Sequence, residues 1–151
     1  RFNETLRGSV EGQPVIFRAT IVLPSHGGAP ELTGHLDVAP LGARVFLADG
    51  RIEAEGEEIV YRGRIRSHGA WEDFRLTKTL DGGAADAWHR ARHARLEVGR
   101  RIDTDIAMGV ADVATLMASI EPVGAHGAVD RAAAVAHFAA QGLRELFGAA
   151  R

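Results

Sequence analysis

Apolar and polar residues alternate along most of positions 1–108, the pattern of strands that bury one face and wet the other. The clearest case is Glu57 to Leu80, EEIVYRGRIRSHGAWEDFRLTKTL. Ile59, Tyr61, Gly63 and Ile65 fall on one face, with Arg62, Arg64 and Arg66 on the other. After a His68-Gly69 turn, Phe74, Leu76, Lys78 and Leu80 share a face, opposite Asp73, Arg75, Thr77 and Thr79.

The same period runs on either side of this pair. In FNETLRGSV the inward set is Phe2, Glu4, Leu6, Gly8 and Val10; after the turn signal EGQP, VIFRATIVL gives Val15, Phe17, Ala19, Ile21 and Leu23. PSHGGAP reads as a loop, and ELTGHLDVA places Leu32, Gly34, Leu36 and Val38 inward with Thr33, His35 and Asp37 outward. Asp49-Gly50 predicts a tight hairpin between the short strands ARVFLA and RIEAEG. ARLEV and IDTDIAM are further strands, and ADAWHRARHA fits a short helix or an irregular approach.

The period then changes. Val110, Val113, Leu116, Met117 and Ile120 recur at helical spacing, predicting a short helix over 109–121 that Pro122 stops and whose apolar face packs on the sheet. Residues 122–129 read as a linker, and Asp130 as the N-cap of an amphipathic C-terminal helix over 130–148. Together these predict one mainly β domain over 1–151. It is an antiparallel barrel or sandwich of about eight strands, with a short helix and a C-terminal amphipathic helix.

Two charges interrupt the inward faces, Glu4 and Lys78. A lysine there snorkels to the rim, pairs with a carboxylate or meets a ligand; snorkelling at a strand end is the ordinary outcome. Glu4 and Lys78 are expected to neutralise each other if both reach one interior. Beside them, Phe17, Leu36, Tyr61, Phe74, Leu76 and Trp88 are the candidate lining of a ligand site, with Trp71 and Trp88 at its mouth.

Composition narrows the classes of function. With 18 basic and 20 acidic residues the formal charge is −2, which predicts no nucleic-acid partner. The absence of cysteine removes disulfide and thiolate chemistry and leaves the compartment open, with the cytoplasm favoured. No apolar run approaches the roughly 20 residues of a membrane-spanning helix. A chain starting at Arg1 is what processing or excision of a domain gives, so neighbouring segments are expected.

Motif searches point away from cofactors. His89 and His93 stand four apart, but arginines at 90, 92 and 95 surround them and no HExxH is present, so no metal is expected. Ser25-His26-Gly27 and Ser67-His68-Gly69 are turns rather than nucleophile and base. GxGxxG and GxxxxGK[ST] are absent, which predicts no dinucleotide or P-loop site.

FNETLRG, ELTGHLDV, YRGRIRSHGAWEDFRLTKTL, AWHRARHARLEV and the closing amphipathic helix resemble a β-rich accessory module of bacterial multidomain proteins that carry cholesterol-oxidase-like (GMC) flavoprotein domains. Where that pattern ends a strand in Gly-x-Lys, this chain has Leu76-Thr77-Lys78. The resemblance implies a noncatalytic neighbour of a lipid or steroid enzyme and transfers no flavin-binding or catalytic residue. The expected function is therefore an accessory or binding module that holds an apolar small molecule or lipid in the sheet interior, anchored by Lys78 and Glu4. The alternatives are an interaction domain that docks on a partner enzyme domain or a second copy through its C-terminal helix, and a small barrel enzyme using the inward Glu/Lys pair.

Overall fold

A computed structural model describes residues 1–24, 28–79, 90, 92–123, 127, 129–130, 132–133 and 136, with the side chain of Ala43 left aside. The alternating segments form eight strands: β1 Phe2–Val10, β2 Gln13–Val22, β3 Glu31–Val38, β4 Gly42–Glu55, β5 Glu58–Ser67, β6 Ala70–Thr79, β7 His93–Val98 and β8 Ile102–Ala107. Each pairs antiparallel with the next, and β8 returns to β1 through Arg7↔Ala107 and Gly8↔Ile106, which closes the sheet into a barrel. Of the two architectures the alternation allows, the barrel forms. Closure pairs both outer strands, so the sheet has no edge to protect.

Two-residue turns set the register of the hairpins. Glu11-Gly12 joins β1 to β2 and His68-Gly69 joins β5 to β6, with positive φ at all four residues (50°, 76°, 48° and 84°). That is the backbone a type I′ turn requires, and glycine at the second position adopts it without strain.

Asp49-Gly50 behaves otherwise. The predicted hairpin is absent, and β4 runs unbroken from Gly42 to Glu55. Asp49 has φ 54° and the register against β5 shifts between Ala48 and Arg51, so the pair forms a bulge inside one long strand. A Cβ on Gly50 would lie 2.2 Å from the Leu32 carbonyl oxygen, so the bulge brings two backbones together where only glycine fits. A left-handed Asp-Gly serves both a turn and a bulge, and the bulge bends β4 around the barrel.

Inward residues from every strand make one core, in which Leu6, Val15, Phe17, Leu76, Leu96 and Val98 are fully buried. The two ends of the barrel differ. One has the Glu11-Gly12 and His68-Gly69 turns and a 3-10 turn, Ala39–Leu41, whose Leu41 carbonyl accepts a 3.0 Å hydrogen bond from the buried Ser67 Oγ. At the other, β2 ends and β3 begins, β6 ends and β7 begins, the two-residue Gly56-Glu57 turn joins β4 to β5, and the chain leaves β8.

That passage leads into helix α1, Val110–Ala118, which lies against β1. Val113 and Leu116 are half-buried, while Val110 and Met117 stay exposed. Polar contacts complete the attachment. Arg7 of β1 makes two parallel bonds to Asp112, Nε to Oδ2 and Nη2 to Oδ1, each 3.0 Å, and the Asn3 amide donates to Ser119 Oγ at 2.8 Å. Asp112 also accepts from the Gly109 amide at the helix start. The expected ADAWHRARHA segment falls almost wholly, and the C-terminal helix largely, outside the described residues. Among those described, no helix is long and apolar enough to cross a membrane.

The Arg7 guanidinium holds the Asp112 carboxyl below its ordinary value of 3.8, chiefly through their hydrogen bonds. A depressed folded value contributes stability that is complete above the ordinary value and is lost as pH falls through the folded one. Docking of α1, followed by the methyl resonances of Val113 and Leu116, should therefore be insensitive to pH above about 4 and loosen below it. Asp112→Asn should weaken docking at neutral pH, and its difference from the wild type should vanish in acid.

Candidate functional site

Glu4, Tyr61 and Lys78 all face the barrel interior, from β1, β5 and β6. β1 is not paired with β5 or β6, so any contact between Glu4 and the other two crosses the lumen. Lys78 Nζ forms a salt bridge with Glu4 Oε1, and the Tyr61 hydroxyl donates to Glu4 Oε2 at 3.0 Å. The ammonium also lies 5.2 Å from the Tyr61 ring centroid, over the face of the ring, where the negative π surface attracts it. Relative exposures are 3% for Glu4, 5% for Lys78 and 5% for Tyr61, so all three groups are taken out of water.

Lys78 does not snorkel. Although it is one residue from the end of β6, tilted and staggered strands put the end of one strand beside the middle of others. Half-buried Ile59 lies directly opposite it on β5, and Ile52 and Phe2 are further half-buried residues packed on the core.

Burial also fixes the state of Tyr61. Removal from water pushes the phenol well above its usual 10.0, and the charge of Glu4 and the hydrogen bond to it push the same way. The hydroxyl thus stays a neutral donor. Glu4 uses both oxygens, one for each partner. An ammonium has three N–H donors, and among the described residues Glu4 is the one acceptor bonded to Lys78.

The remaining expected lining residues lie deeper. Phe17 and Phe74 meet across the interior with ring centroids 5.1 Å apart, Leu36 stands opposite Phe17 and Leu76 opposite Tyr61, and these four side chains form a packed apolar group next to the triad. Around the triad, at the end of the barrel with the longer connections, Phe2, Ile21, Leu32, Ile52 and Ile59 make an apolar collar. Trp71 is not at this mouth: it pairs with Arg66 at the opposite end of β6 and stands 53% exposed on the outer wall. Trp88 and His89 fall outside the described residues, and His93 is exposed at the start of β7.

The β6–β7 ladder stops short beside Lys78. Pairing of β6 with β7 ends at Thr77↔Arg95, although the strands extend to Thr79 and His93. An open groove of about 1070 Å³ occupies the outer side, with Thr77, Thr79, Arg90, His93 and Arg95 among its lining. Sequence reasoning did not anticipate this early stop, because alternation marks faces and carries no signal for where pairing between two strands ends.

Chemically the triad offers a hydrogen-bond donor, an acceptor and an aromatic face within an apolar collar. Compared with protein-family models, with curated proteins and with solved structures, the chain finds no match.

The energetics of the triad are asymmetric. Lys78→Met alone leaves a buried carboxylate without its cation and should cost about 3–5 kcal/mol in chemical denaturation, as should Glu4→Leu alone. The double variant, which removes both charges, should recover most of that loss. Two single losses that simply added would show that the charges do not interact.

Proposed function

We propose that the barrel is a noncatalytic binding module that holds one apolar small molecule or lipid by its polar end, with Lys78 and Glu4 as anchors. The observation that carries this reading is the buried Lys78 ammonium, bonded to a single acceptor among the described residues and set inside an apolar collar. A buried ammonium is strongly favoured by further acceptors, and a carbonyl or hydroxyl oxygen supplies one without adding charge. Glu4 accepts from a hydroxyl in the same position. The preferred occupant is therefore largely hydrocarbon, with one hydroxyl or carbonyl at one end.

The packed layer of Phe17, Leu36, Phe74 and Leu76 serves as the floor, so the occupant seats against Phe2, Ile21, Leu32, Ile52 and Ile59, above it. The early stop of the β6–β7 ladder beside Lys78 is the natural way in. Proton transfer by Glu4 and Lys78 fits less well. Both are under a tenth exposed and are bonded to each other, an arrangement suited to holding a polar group rather than to working in an open cleft. An apolar ligand with one oxygen also suits an accessory module beside a lipid or steroid enzyme, the role that the resemblance of FNETLRG and YRGRIRSHGAWEDFRLTKTL to such modules implies.

Native mass spectrometry of the protein purified from its own host tests the reading. One apolar molecule with a terminal hydroxyl or carbonyl should be retained per chain and released on denaturation. The Lys78→Met/Glu4→Leu double variant should fold and come out empty. An empty wild-type chain, or equal retention by the double variant, contradicts the proposal.

A further inference from the structure

Two aromatic side chains stand exposed on the outer wall towards the tight-turn end: Phe46 of β4, 69% exposed, and Trp71 of β6, 53% exposed. Arg66 of β5 lies between them. It pairs directly with Trp71, and the Leu47↔Ile65 pairing places Phe46 beside it one step further along β4. Ile65 and Phe74 are in the core, so their neighbours on the opposite face, Arg66 and Trp71, point outward with Phe46. Adjacent strands are about 4.8 Å apart, which sets the Phe46 and Trp71 backbone positions about 10 Å from each other with Arg66 between them. The row is braced at both ends: Arg64 lies over the Trp71 ring at 5.1 Å from its centroid, and the His35 ring meets Phe46 in a tilted contact, centroids 5.9 Å apart.

The charges around this row are mostly spent. Arg18 and Arg44 both bind Asp37, and Arg64 binds Asp49. The Arg66 side chain is exposed and has no hydrogen-bond or ion-pair partner among the described residues.

We propose that Phe46, Arg66 and Trp71 form a docking surface for an amphipathic helix of a partner protein, one that presents an acidic residue between two apolar residues a heptad apart. Seven helical residues rise about 10.5 Å, which matches the spacing of the two strand positions that carry the rings. A residue three or four positions on shares the face and meets Arg66. An extended segment presents same-face residues about 7 or 14 Å apart and matches neither. A polyanion fits poorly, because nucleic acid or an anionic lipid surface binds through many cations. In this row one guanidinium is without a partner among the described residues, Asp37, Asp49 and Asp73 share the wall, and the chain carries a net charge of −2. Tryptophan and arginine at the centre of a patch are the residues that contribute most to protein–protein binding.

The test is selection of a phage-displayed library of helical peptides, randomised on one face, against the full chain. Enriched peptides should carry apolar residues at i and i+7 and Asp or Glu at i+3 or i+4. By fluorescence anisotropy, Arg66→Glu and Trp71→Ala should each weaken the leading peptide by about tenfold or more without changing the melting temperature, since both side chains are exposed. A lysine in place of the peptide's acid should restore binding to Arg66→Glu. The proposal is overturned by enrichment without an acid, by binding indifferent to both variants, or by tighter binding of an oligothymidylate or of phosphatidylglycerol vesicles at this wall. It is also overturned if the protein alone forms a dimer that Trp71→Ala dissolves, because the row is then occupied by a second copy.

Discussion

A charge inside a barrel must find its opposite across the lumen, and here Glu4 meets Lys78 from a strand with which its own is not paired. Neither group is tolerable alone at 3% and 5% exposure. Their contact therefore depends on barrel closure and in turn specifies it: a register slip of one residue in β1 or β6 would turn one charge outward and strand the other. Tyr61 strengthens this requirement by donating to the second Glu4 oxygen and lending its ring to the ammonium. The apolar layer of Phe17, Leu36, Phe74 and Leu76 contributes more to stability through burial, but it is far less selective about register, because one aliphatic side chain replaces another at small cost.

The two ends of the barrel follow from local sequence. Type I′ turns at Glu11-Gly12 and His68-Gly69 hold strands at minimal length, and Leu41 with Ser67 covers that end. Longer connections leave the other end, where the triad sits in its collar and α1 is tied to β1 through Arg7, Asp112, Asn3 and Ser119. The fold thus places its polar interior groups towards one end of the barrel. The exposed row of Phe46, Arg66 and Trp71 lies towards the closed end, on the outer wall, apart from the buried Glu4, Tyr61 and Lys78.

Much of this was legible in the chain because a strand has period two. Inward Glu4, Tyr61 and Lys78, the eight-strand β class and the His68-Gly69 turn all follow from alternation and turn chemistry alone. Their meeting was less accessible: Glu4 and Lys78 lie 74 residues apart, and only closure decides which strands face each other. Snorkelling was the natural expectation for Lys78, since sequence gives a strand end and not the stagger that buries it. Asp49-Gly50 misled for a related reason. Left-handed backbone at an Asp-Gly pair serves a hairpin or a bulge equally, and the choice rests on Leu32 of the neighbouring strand. Trp71 sits on the solvent face that its alternation gives, and only the barrel shows that this face lies at the far end of β6 from Lys78.

The chain has a single tyrosine, Tyr61, so the triad can be read directly by alkaline difference absorbance of the phenolate in the native and denatured protein. Burial and the charge of Glu4 hold the phenol well above 10.0, so it contributes stability that is present below that value and is lost as pH rises through the folded one. The denatured chain should titrate near the ordinary value, and the native protein should show no phenolate there, ionising only at higher pH together with loss of structure. A folded protein whose tyrosine titrates reversibly near 10 would mean that the hydroxyl reaches water, and that the buried contact of Glu4, Lys78 and Tyr61 does not hold the barrel together.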